Sequence, residues 1–252
     1  MEAKILSEES CEWASLEREV RSTPLTVGEF IDDMYTSRDD KPSYVFDWSI
    51  PQHCPELLDE LLIPKYFAKD LLQQLPQGTL YRESWPSLFI GPRGSRCAMH
   101  VDTFGSHFWM ALFQGRKRWI IFAPEAAVCL SPSFLHGHDA IFAADEVDYC
   151  QLDRYDFELG EGDVVFVPCG SPHIVSNLED TVAISANYVS RSNLNASLAE
   201  LRVASMCSSE AGSLAVSLTT LAHDAHSAHT SEAADLCWAQ FKAQRTQGLG
   251  WV

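Results

Sequence analysis

Two residues apart, His100 and Asp102 could offer an imidazole nitrogen and a carboxylate oxygen to one metal ion. The spacing matters because side chains at i and i+2 of a β-strand lie on the same face. Alone, His100-Val101-Asp102 is a weak signal, since such triplets also arise on ordinary strand surfaces. It gains weight from His173, which opens a strand-like segment after Gly160-Glu161-Gly162-Asp163-Val164-Val165-Phe166-Val167-Pro168. Two imidazoles and one carboxylate leave three positions on an octahedral Fe(II), room for a bidentate oxoacid and O₂. An oxoacid would also need a cation for its far carboxylate. Lys117 suits that role, because it alternates with Trp119 and Ile121 on one face of a strand pattern, where an unpaired lysine is costly. The plainer alternative is a solvated strand-edge lysine, like Arg116 and Arg118 on the other face. Ser185, on the last strand pattern, could donate a hydroxyl to the same carboxylate.

These residues need a scaffold of short strands. From Trp85 onward the apolar period is two: Ser87 to Ile90, Cys97 to Asp102, Phe108 to Phe113 and Arg116 to Phe122 read as strands. Gly91-Pro92-Arg93-Gly94 reads as a turn, and Gln114-Gly115 as a tight hairpin joining the last two strands. A long irregular stretch follows, then strands at Asp163 to Pro168, His173 to Asn177 and Thr181 to Val189. Such spacing predicts an antiparallel barrel or jelly roll. Helical patterns flank it. Ser7 could cap a segment running to about Val20, and Thr26 to Glu29 has capping-box spacing ahead of Phe30, Ile31 and Met34. Tyr44 to Trp48 is a short strand, and Leu57, Leu58, Leu61, Leu62, Phe67, Leu71 and Leu72 recur at helical spacing, interrupted by Pro64. The expected organisation is a helical segment over 1–40, a barrel over 41–190 with a helical insertion over 55–75, and helices over 191–252.

The chain carries 18 Lys and Arg against 35 Asp and Glu, a formal charge of −17. That excess repels nucleic-acid phosphates and anionic membranes and suits a basic protein or peptide. Nine acids between Asp139 and Asp163, among them Asp145, Glu146 and Asp148, stand against a single Arg154 and could rim the entrance to a barrel, but they read more simply as a solvated loop. Met1-Glu2-Ala3-Lys4 leads into a polar stretch without an apolar export segment, and none of the eight cysteines forms a C-x-x-C pair, so reduced thiols in cytoplasm or nucleus are expected. His223, His226 and His229 with Cys237 could bind zinc but read more simply as a solvated helix face, and His136-Gly137-His138-Asp139 as loop. Cys169 near His173, like Trp109, needs no role beyond packing.

Gly91-Pro92-Arg93-Gly94-Ser95, Met99-His100-Val101-Asp102, Gln114-Gly115-Arg116-Lys117-Arg118-Trp119, Pro168-Cys169-Gly170-Ser171-Pro172-His173 and Asn177-Leu178-Glu179-Asp180-Thr181 resemble the jumonji-C (JmjC) hydroxylases. They are most similar to the branch containing the bifunctional arginine demethylase and lysyl-hydroxylase. Arg38-Asp39-Asp40, Tyr44-Val45-Phe46-Asp47 and Ile63-Pro64-Lys65-Tyr66-Phe67 are similar to that branch too, so the resemblance runs from about Thr23 to Val189. It implies a mainly β double-stranded β-helix (a cupin or jelly-roll barrel) with His100, Asp102 and His173 on Fe(II). It also implies that Lys117, Ser185 and Tyr44 contact 2-oxoglutarate, and Asn187 matches an active-site asparagine. Ser185 stands where the family more often has threonine. Met110 departs from the pattern, which has an asparagine facing the site. The implied activity is an Fe(II)- and 2-oxoglutarate-dependent oxygenase hydroxylating or N-demethylating a protein Lys or Arg side chain. The alternatives are a hydroxylase of a small molecule or modified tRNA base, the latter disfavoured by the charge, and a non-catalytic cupin-like binding module. C-terminal helices mediate dimers in some JmjC relatives. Leu194, Leu198, Leu201, Leu214, Leu218, Leu221, Leu236, Trp238 and Phe241 could do so here, or simply cover one barrel end.

Overall fold

The computed structural model describes residues 5–6, 25–36, 43–67, 69–130 and 151–224. The Ser7 segment, Arg38 to Asp40, His136 to Asp139, Asp145, Glu146, Asp148, His226, His229, Leu236, Cys237, Trp238 and Phe241 lie outside them, as does the His223 side chain. The described chain forms two compact units, one of Met1–Trp48 with Ser87–Asn187 and one of Ser49–Pro86 with Tyr188–Val252.

The first unit is built on two antiparallel sheets. Its strands are β1 (Ile5–Leu6), β2 (Tyr44–Ser49), β3 (Ser87–Gly91), β4 (Arg96–His100), β5 (His107–Gln114), β6 (Lys117–Phe122), β7 (Arg154–Leu159), β8 (Val164–Val167), β9 (His173–Asn177) and β10 (Thr181–Tyr188). One sheet runs β1-β2-β3-β10-β5-β8 and the other β4-β9-β6-β7. Alternate side chains of both meet in one core, with Phe89, Phe108, Leu112 and Val167 from the first sheet and Trp119, Ile121, Leu159 and Val175 from the second. This is the expected jelly-roll, cupin-like barrel. The outer face of the second sheet is covered as well, by a smaller cluster of Met99, Ile120, Phe122 and Leu130. Between β1 and β2, α1 (Val27–Thr36) starts as its sequence predicts: the Glu29 N–H donates to Thr26 Oγ1 (3.2 Å) while Glu29 accepts from the Thr26 N–H (2.8 Å).

Three local expectations change. Gln114-Gly115 does not close a hairpin. β5 pairs with β8 and β6 with β7 and β9, so the turn is a corner from one sheet to the other. Gly115 has φ +80°, and a Cβ there would collide with the Asp180 carbonyl. The stretch read as irregular contains β7, whose Tyr155, Phe157 and Leu159 alternate with Asp156 and Glu158. Arg118 binds Asp156 across the β6–β7 ladder (2.7 Å), and Arg116 binds Glu158 (3.3 Å) and Glu179 (2.8 Å). Asp156 and Glu158 are therefore strand residues, and all three acids sit in exposed ion pairs, each worth on the order of 0–1 kcal/mol.

The third change is in the second unit. The helical insertion expected over 55–75 is a series of short 3₁₀ turns, Pro55–Glu60, Lys65–Phe67 and Leu72–Gln74, after a one-turn helix α2 (Ile50–His53). Pro55, Pro64 and Pro76 each lack an N–H, so no long i→i−4 ladder can run through them. Leu58, Phe67, Leu71 and Leu72 are buried, while Leu62 is 70% exposed. The unit also holds α3 (Leu194–Ala204) and α4 (Ser209–Asp224), whose Leu198, Leu201, Leu214 and Leu218 are buried within the chain.

Buried Asp70 fastens this unit. Its Oδ1 accepts from the N–H groups of Leu72 (3.0 Å) and Val189 (3.1 Å). Burial pushes its carboxyl up to about 7, against the backbone hydrogen bonds that pull it down. A folded-state value above the unfolded one means that stability is fully present below about 4 and declines as pH rises through 7. Asp70→Ala leaves two buried donors unmatched and is expected to lower unfolding free energy by roughly 1–3 kcal/mol for each. Asp70→Asn keeps an acceptor and is expected to cost less and to flatten that slope. Urea unfolding at pH 5 and pH 8 measures both, and an alanine variant as stable as wild type removes Asp70 from this role.

Candidate functional site

β4 and β9 run side by side, and His100 stands directly opposite His173 in their ladder. The register slips between Cys97 and His100, where β4 carries one residue more than β9. Without that bulge, residues three apart would face opposite ways; with it, Cys97 and His100 both line the same cavity. Asp102 follows in extended backbone (φ −64°, ψ 146°), so the spacing of two delivers it beside His100. One donor atom from each of His100, Asp102 and His173 lies within 4.8 Å of the other two, and all three residues are buried. This is the only such cluster among the described residues.

Each imidazole is held at its Nδ1. His100 donates to the Ala98 carbonyl (2.8 Å) and His173 to the Ser171 carbonyl (3.0 Å). A carbonyl only accepts, so Nδ1 carries the proton and Nε2 keeps its lone pair. Burial holds both rings down at about 4, the neighbouring imidazole adding to the effect at His100. Both are therefore neutral, the ligating form, at ordinary pH. Burial likewise pushes Asp102 up to about 6, with His100 and a hydrogen bond from Asn187 pulling it back. Asn187 also donates to Ser106 Oγ (2.8 Å), so its amide is braced between a fixed hydroxyl and the carboxylate.

Deeper along β6, Lys117 is fully buried. It donates to Tyr44 Oη (3.0 Å) and Asn177 Oδ1 (2.6 Å), and burial lowers its amine to about 7. The solvated-edge alternative is thereby excluded. No carboxylate among the described residues pairs with it. Asn177 is itself fixed by donating to Ser95 Oγ (2.7 Å). Gly91 makes the arrangement possible, because a Cβ there would overlap the Asn177 amide and the Tyr44 ring. Sequence reasoning gave Asn177 and Gly91 no part; both sit in quoted motifs, but their contacts cross strands and leave no local signal. Ser185, fully buried on β10, has a hydroxyl with no partner in the structure.

The triad opens into a cavity walled by Phe46, Phe89, Phe108, Met110 and Trp119. Trp119 stacks on His173 with ring centres 5.7 Å apart. Neutral imidazoles with unprotonated Nε2 atoms and a buried carboxylate fit a divalent cation; Lys117 and Ser185 are not among the residues lining the cavity, but Tyr44, to which Lys117 donates, is. Cys169 lies elsewhere, its N–H donating to His107 Nδ1 (2.9 Å).

The model of the family described as Cupin-like domain matches residues 14–193. The chain is similar to the "Arginine-specific demethylase JMJ22" of Arabidopsis thaliana, 33% identical over 171 residues, covering 63% of this chain and 33% of that protein. It is similar to the "Bifunctional arginine demethylase and lysyl-hydroxylase psr-1" of Caenorhabditis elegans, 30% identical over 189 residues, covering 69% of this chain and 47% of that protein. It is also similar to the human "2-oxoglutarate and iron-dependent oxygenase JMJD4", 31% identical over 160 residues, covering 60% of this chain and 37% of that protein. The chain thus spans between a third and a half of these relatives.

Proposed function

The chain belongs to the Cupin-like domain family, and from that premise we propose that it is an Fe(II)- and 2-oxoglutarate-dependent oxygenase acting on a Lys or Arg side chain of a protein. The observation that carries the proposal is the convergence of three buried donor atoms, from His100, Asp102 and His173, at the mouth of an apolar cavity. Held there, Fe(II) with 2-oxoglutarate and O₂ supplies an oxidising equivalent strong enough to hydroxylate an unactivated C–H, leaving succinate and CO₂.

The chain's own residues prepare that chemistry. His100 and His173 present Nε2 lone pairs because the carbonyls of Ala98 and Ser171 fix their tautomers. Asn187 hydrogen-bonds the Asp102 carboxylate and restrains it beside them. Lys117, with Tyr44 and the unmatched Ser185 hydroxyl, receives the far carboxylate of the cosubstrate. The aromatic wall excludes water, which strengthens each of these interactions. Met110 brings a thioether to that wall and no amide, so orientation there relies on shape.

A tRNA-base or small-molecule substrate is the second reading, and the charge of −17 weighs against nucleic acid. A non-catalytic cupin-like module would have no need to bury Lys117 without a carboxylate to pair with it. The favoured partner is a basic protein or peptide. Most described C-terminal leucines are buried already, so a homodimer would use the exposed Val203, Met206 and Val216. The five described free cysteines suit a reducing compartment, cytoplasm or nucleus, and no described helix is long and apolar enough to cross a membrane. A barrel over 41–190 between helical segments at 1–40 and 191–252 remains part of this reading.

Incubating the protein with Fe(II), 2-oxoglutarate, ¹⁸O₂ and a cell extract is expected to place one labelled oxygen on Lys or Arg residues of particular proteins, read by mass spectrometry, with matching succinate. Label confined to small metabolites or RNA shifts the assignment to the second reading, and no succinate under any condition defeats the oxygenase.

A further inference from the structure

Adjacent residues of a strand face opposite ways, yet Phe46 and Asp47 of β2 both line the cavity. The backbone of Asp47 accounts for it, with φ at +51°. That left-handed conformation is uncommon outside glycine, asparagine and aspartate, and it turns a side chain due to face away back towards the site. Asp47 is half-buried, between Phe46 and Trp48, which are both buried.

The lining of the cavity contains two carboxylates, Asp47 and Asp102, and no lysine or arginine. Asp102 belongs to the triad. Asp47 is outside the set whose donor atoms converge, but its charge reaches Asp102 and raises that carboxyl. The rest of the wall is mostly aromatic and aliphatic. An apolar channel with one acidic group beside the triad fits a side chain that is a methylene stem ending in a cation. A carboxylate accepts through two oxygens and several lone pairs, so a bond to the protein leaves room for a ligand N–H.

We infer that Asp47 selects the substrate: it receives the ammonium of a lysine or the guanidinium of an arginine, and so sets a methylene of that side chain beside His100, Asp102 and His173. The inference rests on the oxygenase reading and adds to it the residue that imposes a cationic substrate. A neutral side chain of the same length fills the channel but offers the Asp47 carboxylate neither a charge nor an N–H, so electrostatic complementarity favours the cation.

The test uses the full chain loaded with Mn(II) and 2-oxoglutarate, and three tripeptides, acetyl-Gly-Lys-Gly-amide, acetyl-Gly-Arg-Gly-amide and the norleucine counterpart. Paramagnetic broadening of the peptide's side-chain protons reports their approach to the metal. The lysine or arginine protons are expected to broaden, with the norleucine peptide binding at least about tenfold more weakly. Asp47→Asn, which tolerates positive φ as well as aspartate does, is expected to bring the cationic peptides down to the norleucine level. Wild-type protein that binds none of the peptides, or all three alike, overturns the inference, as does an Asp47→Asn protein that keeps the preference. Calorimetry of Mn(II) and 2-oxoglutarate on the same samples separates the two levels. Uptake of both with indifference to charge removes the Asp47 assignment alone. Uptake of neither by wild type removes the oxygenase reading with it.

Discussion

His173→Ala is expected to abolish tight binding of Fe(II) or Mn(II) and all 2-oxoglutarate turnover while leaving the barrel folded. His173 supplies one of only three donors, and its partner across the ladder, His100, cannot span two positions. Loss of a supporting partner costs about 10–100-fold in metal affinity, so loss of a ligand should exceed that range. Asn187→Ala, which only frees Asp102 to turn, should fall inside it. His100→Ala and Asp102→Ala should match His173→Ala. The core between the sheets, from Phe89 to Val175, does not depend on the ion, so circular dichroism and the urea midpoint should change little. Calorimetric titration with Mn(II) decides the matter. An alanine variant at 173 that binds as tightly as wild type means the third ligand is elsewhere.

Lys117 should control cosubstrate affinity without touching the metal. Truncating one member of a buried charge pair costs about 2–5 kcal/mol, so Lys117→Met is expected to weaken 2-oxoglutarate binding by at least roughly tenfold, with Mn(II) affinity unchanged. The pH dependence sharpens this. Burial lowers the amine from its ordinary 10.5 to about 7, and a dianion binds the protonated form. Above pH 7 binding must recruit a proton, and the apparent constant should rise about tenfold per pH unit. Lys117→Met should show no such slope. The sign for stability is the reverse. Between about 7 and 10.5 the unfolded chain binds more protons than the folded one, so this residue's contribution improves as pH rises and is worst below 7. The variant that loses the cosubstrate should therefore be the more stable protein at pH 6. A wild-type affinity for 2-oxoglutarate in Lys117→Met would return Lys117 to a purely structural role.

What the sequence made legible follows from what is local. The pairing of His100 with Asp102 was readable because a strand fixes the direction of i and i+2. The burial of Lys117 was readable because Trp119 and Ile121 repeat its phase. The capping box at Thr26 involves neighbours only. Long-range pairing left no such trace. Gln114-Gly115 has the chemistry of a hairpin turn, yet the flanking strands find partners in different sheets, and nothing in those two residues distinguishes the cases. The leucines between Leu57 and Leu72 keep helical spacing although prolines forbid the helix; the apolar pattern was heard over the missing N–H groups. β7 was overlooked for the opposite reason, its alternation being plain while the acids between its apolar residues suggested a loop. Asp47 could not have been found, because its place in the wall depends on a positive φ that its residue type permits without requiring.

The ladder between β4 and β9 carries one more implication. His100 and His173 are neighbours by strand register, although most of the barrel's chain separates them. Their distance is indifferent to how long that chain is. The path from β6 to β7 leaves and re-enters a ladder paired from Lys117–Leu159 to Phe122–Arg154, so residues added between those strands emerge at one end and need not strain the ligands. Doubling such a connection costs only about 0.6 kcal/mol in closure entropy. In this architecture the triad and the connection can diverge independently: one set of strands can keep the same three side chains together while the intervening segment is rewritten.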